Sequence, residues 1–79
     1  MKYKQRKRSR SWDAQTVRAL REHLKQTQQE MAQEMGVRQQ TVSEWETGAY
    51  QPRGASRTLL NMIAESSRFE YRVAEQEEP

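Results

Sequence analysis

Seventy-nine residues, only 33% of them hydrophobic, make one small domain with a limited core. The absence of cysteine excludes disulfides and thiolate metal sites. No apolar run approaches the ~20 residues of a membrane span, and the basic start lacks the apolar segment of a secretory signal, so the expectation is a soluble cytoplasmic protein with no membrane partner.

The net charge of +3 is unevenly placed: residues 1–10 hold six cations and no acid, residues 11–64 hold six of each sign, and residues 65–79 hold two arginines against five glutamates. Residues 1–11 therefore read as a basic arm, including Arg6, Lys7, Arg8 and Arg10, of the kind that stays solvated alone and condenses on a polyanion. A solubilising tail is the plain alternative. Next, Ser11 or Asp13 caps a first helix of about residues 13–26, whose apolar stripe is Val17, Leu20 and Leu24, extended by Trp12. His23 has no second metal ligand within reach by sequence and reads as a surface residue.

The stretch from Thr27 to Gly48, TQQEMAQEMGVRQQTVSEWETG, reads as two short helices joined by a tight turn. Thr27 with Glu30 makes a capping box, in which each side chain satisfies a free backbone donor at the helix start. Gly36 closes that helix, and Met31, Ala32 and Met35 share its inward face. The second helix runs from about Gln39 to Thr47, with Val42 and Trp45 inward and Gly48 as its stop. Its other side chains, Gln39, Gln40, Thr41, Ser43, Glu44 and Thr47, are nearly all hydrogen-bonding groups. A face kept only for solubility favours Lys and Glu, which form helix better.

Residues 49–54 read as a loop, and a last helix spans about residues 55–66, inward through Leu59, Leu60, Met62 and Ile63. Connections this short imply a compact all-α bundle of about four to five short helices. After Arg68 the pattern changes to an alternation, Phe69, Tyr71 and Val73 against Glu70 and Arg72, which suits a short C-terminal strand. It pairs with the arm, pairs with its symmetry mate in a dimer, or frays; residues 76–79 read as disordered. The expected organisation is an arm over 1–11, a domain over 12–67 and a tail over 68–79.

Across Leu20 to Gly48, LREHLKQTQQEMAQEMGVRQQTVSEWETG, the chain resembles the helix-turn-helix domain of lambdoid phage repressors, Cro proteins and related XRE-like bacterial regulators. The segment Pro52-Arg53-Gly54 followed by Leu59-Leu60-x-x-Ile63 is more like HigA-type antitoxins. The resemblance implies that the helix starting near Gln39 lies in the major groove of double-stranded DNA. Gln39 and Gln40 then fall at base-reading positions, where a glutamine amide pairs with both N7 and N6 of adenine. Glu44, one turn on, either accepts from cytosine N4 or is repelled by phosphates. Gln28, Arg38, Thr41, Ser43 and Arg53 fall where backbone contacts are made. Arg38 stands at a cap position that arginine fills poorly, so its guanidinium is free for a phosphate or a guanine. Arg21 and Glu46 match a structural salt bridge, Trp45 and Trp12 read as core, and Met31, Met35 and Met62 fill the core by spacing.

No constellation of residues supports catalysis, a metal or a cofactor, so an enzyme is not expected. The leading expectation is a homodimeric repressor of its own operon, bound to an inverted repeat, held at the nucleoid through DNA and paired through Phe69, Tyr71 and Val73. The alternative is an antitoxin that neutralises a partner toxin and also autoregulates. RNA binding is a weaker third, for want of stacking aromatics beyond Tyr3 and Tyr50.

Overall fold

The computed structural model describes residues 12–70. The arm residues Arg6, Lys7, Arg8 and Arg10, together with Tyr71 and Val73, lie outside the described residues. Within them the chain forms four helices and no strand: α1 (Ala14–His23), α2 (Gln28–Met35), α3 (Gln39–Thr47) and α4 (Ala55–Ser66). The all-α expectation holds.

Local chemistry sets where the first two helices begin. Asp13 caps α1, its carboxylate accepting from the Thr16 N–H at 3.0 Å while Thr16 Oγ1 accepts from the Asp13 N–H at 2.8 Å. The box expected at α2 is present too: Thr27 Oγ1 accepts from the Glu30 N–H at 3.0 Å, and Glu30 Oε1 accepts from the Thr27 N–H at 2.9 Å. Each box satisfies two donors that a helix start leaves open.

Three helix ends are set by a left-handed residue whose successor folds its N–H back onto the helix. After α2 this residue is Gly36, at φ 74°, and the Val37 N–H returns to the Ala32 carbonyl at 2.9 Å. After α1 it is Lys25, at φ 58°, with the Gln26 N–H on the Arg21 carbonyl at 3.1 Å. The first helix therefore stops at His23, three residues short of the expected Gln26. After α4 it is Arg68, at φ 59°, with the Phe69 N–H on the Ala64 carbonyl at 2.9 Å. All three are Schellman motifs, which satisfy carbonyls that a helix end otherwise leaves bare.

That last motif corrects the reading of Phe69. Instead of opening an exposed strand, Phe69 is turned inward, 7% exposed, its ring stacked on Trp12 at 6.4 Å and tilted against His23 at 5.4 Å. It is spent on the core of its own chain and is not free to pair across a dimer axis. The folded unit thus extends past Ser67. His23 is exposed as expected, yet it is anchored, because its Nε2 donates to the Ser67 carbonyl at 2.8 Å.

One core joins all four helices: Val17 and Leu20 from α1, Met31, Ala32 and Met35 from α2, Val42 and Trp45 from α3, and Leu60, Ile63 and Ala64 from α4, closed by Trp12 and Phe69. Burying each large apolar side chain contributes about 1.5–3 kcal/mol. Met62 is not among them: it is 59% exposed, since it lies 200° around the helix from Leu60, and Ala64 takes the inward place instead. Trp12 also bonds across the fold, its Nε1 donating to Asn61 Oδ1 at 2.8 Å. Helix α3 packs against both α1 and α2, so its opposite side faces solvent.

Candidate nucleic-acid interface

The orientation of α3 is fixed from behind. Glu46, on its inward side, has a side chain only 2% exposed, and it receives Arg21 Nε at 2.6 Å and Arg21 Nη2 at 3.1 Å from α1. The Gln28 amide, at the start of α2, donates to the same carboxylate at 3.1 Å, and Arg18 lies 3.7 Å away. Burial works against the Glu46 charge, but the hydrogen bonds from Arg21 and Gln28 and the charges of Arg21 and Arg18 outweigh it, holding its pKa below the ordinary value. The guanidinium of Arg21 is held in its charged form by the same bonds. The structural pairing of Arg21 with Glu46 is as expected. What spacing alone did not reveal is that Gln28 is part of it, so one of the two N–H groups in the Gln28 amide is already committed.

In front, Arg38 occupies the cap position of α3 in extended backbone, at φ −82° and ψ 154°, and no side chain bonds to the first turn. The first N–H groups of α3 therefore lack a side-chain cap, although the Thr41 N–H returns to the Arg38 carbonyl at 3.0 Å. Gln39 and Gln40 stand exposed in that turn, while Thr41, Ser43 and Glu44 are half-buried along the same helix. The Gln40 amide donates to Glu44 Oε2 at 3.3 Å, which joins two of the residues singled out for base reading. Among the described residues Arg38 and Arg53 have no carboxylate partner.

Arg53 sits exposed on the loop after α3. It borders a polar hollow with Gln51, Gly54, Arg57, Pro52 and Trp12. Arg57 was not singled out from sequence, although a signal existed: the first turn of α4 carries this cation and no acid, against the preference of a helix start for negative charge. Thr47 closes α3, its Oγ1 donating to the Glu44 carbonyl at 3.2 Å and accepting from the Ala49 N–H at 3.4 Å. Tyr50 is 65% exposed beside this end.

Among the described residues no three His, Asp or Glu side chains gather as a metal site. No helix among them is long and apolar enough to cross a membrane.

A family model described as helix-turn-helix matches residues 17–56, from the middle of α1 to the first turn of α4. No curated protein and no solved structure matches the chain. The match takes in α2, its Gly36 turn and α3 with its outward polar side, and on it the chain belongs to the XRE-like helix-turn-helix family and is a DNA-binding transcription regulator.

Proposed function

We propose that this regulator is a sequence-specific, homodimeric repressor of its own operon, which sets α3 into the major groove of an inverted repeat. The observation that supports this is the outward side of α3, where Gln39 and Gln40 are exposed in a first turn that no side chain caps. A helix presented in this way meets base edges with its first residues. Gln39 and Gln40 read adenine through paired donor and acceptor contacts, and Glu44 takes part at the base edge. Gln28, Arg38, Thr41, Ser43 and Arg53 lie against the backbone, which fixes register without reading sequence. Arg6, Lys7, Arg8 and Arg10 follow the minor groove as a basic arm.

A module of this size makes few base contacts, and a two-fold copy doubles them with no added sequence. Since Phe69 is buried in its own chain, the pairing surface falls to Tyr71 and Val73 beyond it and to the outward side of α4. Selection of bound duplexes from a random DNA pool tests the reading. The expected result is an inverted repeat with half-site centres about 10 base pairs apart. A pool without enrichment overturns sequence-specific binding, and an enriched motif without two-fold symmetry overturns the dimer.

A further inference from the structure

We propose that Glu44 is a positioning residue which makes Gln40 a reader of adenine and a rejector of guanine. This rests on the DNA-reading function proposed above and goes beyond it by assigning a base preference to one residue acting through another. The observation is the hydrogen bond of 3.3 Å from Gln40 Nε2 to Glu44 Oε2, one helical turn apart on the outward side of α3.

Donor counting gives the consequence. A glutamine amide carries two N–H donors and one carbonyl acceptor, whereas an ionised carboxylate only accepts. An unconstrained amide serves two purines: it meets adenine with one N–H on N7 and its carbonyl on the N6 amino group, or it meets guanine with both N–H groups on N7 and O6. With one N–H committed to Glu44, a single donor and the carbonyl remain. That set matches adenine and leaves one guanine acceptor unmet. The carboxylate adds to the bias, because its other oxygen accepts too and disfavours a base edge made of two acceptors. It favours an amino-bearing edge, adenine N6 or cytosine N4, on a neighbouring pair. The Gln40 and Glu44 side chains together therefore call for a half-site in which adenine is followed or preceded by an amino group.

The test uses the full chain and four proteins: the parent, Glu44→Ala, Gln40→Ala and the double variant. Random-pool selection with the parent first gives the motif, and affinities are then measured on duplex pairs differing only by adenine or guanine at the position that Gln40→Ala relaxes. A ratio of affinities taken with one preparation does not depend on the fraction folded, so loss of stability does not imitate the effect. The parent is expected to prefer adenine by about tenfold or more, and Glu44→Ala to bring the ratio near one. In the Gln40→Ala background, Glu44→Ala is expected to leave the ratio unchanged. An unaltered ratio in Glu44→Ala, or an equal change with and without Gln40, overturns the inference while the regulator reading stands. A pool with no enriched motif overturns both.

Discussion

Arg21 grips Glu46 side-on, Nε to Oε2 at 2.6 Å and Nη2 to Oε1 at 3.1 Å, across 25 residues of sequence. The same guanidinium donates through Nη1 to the Gln26 carbonyl at 3.0 Å, where the chain leaves α1, and the Gln28 amide completes the set at 3.1 Å. One buried carboxylate thereby ties the end of α1 and the start of α2 to the back of α3. The angle of α3 against the rest of the fold is set by charge and hydrogen bonding behind it as well as by apolar packing.

Replacing Arg21 by Met keeps the bulk and leaves Glu46 as a buried charge short of its main partner. Urea unfolding should show a loss of about 3 kcal/mol with an unchanged slope, in the range for breaking a buried pair. A loss below about 0.5 kcal/mol would mean that water solvates the carboxylate and the grip is incidental.

Acid should weaken the fold from the carboxylate side. Asp13 is held below its ordinary 3.8, chiefly by the Thr16 N–H, and Glu46 below its ordinary 4.5, despite burial, by Arg21 and Gln28. Both carboxyls bind protons more readily unfolded than folded, so the stability they contribute is present above those ordinary values. It is lost as pH falls through the lower folded values. The melting temperature should hold down to about pH 5 and then decline. Glu46→Gln should flatten that decline, and an equally steep acid limb in the variant would assign it to other groups.

Phe69→Ala opens a cavity between Trp12, His23 and Ala64 and should cost about 3 kcal/mol. Truncation after Ser67 removes the same ring and should yield an unstable chain, whereas truncation after Glu70 keeps it. The longer form should remain helical by circular dichroism and sediment as a monomer with weaker operator binding. A dimer at that length places the interface on the helices instead of on Tyr71 and Val73.

Arg68 carries a side chain at φ 59°, a conformation that costs an L-residue roughly 1 kcal/mol or more and glycine nothing. Arg68→Gly should therefore raise stability by about 0.5–1 kcal/mol. A fall in melting temperature would show that the arginine side chain contributes more than its backbone costs.

On DNA, Gln39→Ala should lower the preference for the selected duplex over a scrambled one with the melting temperature unchanged. Arg38→Ala should weaken both duplexes alike and reduce the slope of log K against log salt by about one unit. Deleting residues 1–9 should flatten it further, by about 0.9 for each phosphate no longer neutralised. An unchanged slope on deletion makes the arm a solvated tail.

The sequence by itself determined what depends on neighbours a few residues apart. The capping box of Thr27 with Glu30, the Gly36 turn, the Gly48 stop and the inward stripes of α1 to α3 each follow from a local steric or hydrogen-bonding rule, and each stands where the spacing put it. Resemblance supplied the pairing of Arg21 with Glu46. Tertiary structure decided the rest. Lys25 and Arg68 take the left-handed conformation without being glycine, because Gln26 is held by Arg21, itself fixed on Glu46 25 residues away, and Phe69 is drawn against Trp12, and those contacts outweigh a local preference. Alternation made Phe69 look like strand, and spacing made Met62 look buried, but Phe69 packs against Trp12 and His23 and closes the core while Met62 is exposed. The coupling of Gln28 to Glu46 was equally invisible, since a hydrogen bond between two helices has no period along the chain. It exists only once the core has set the helices at their distance.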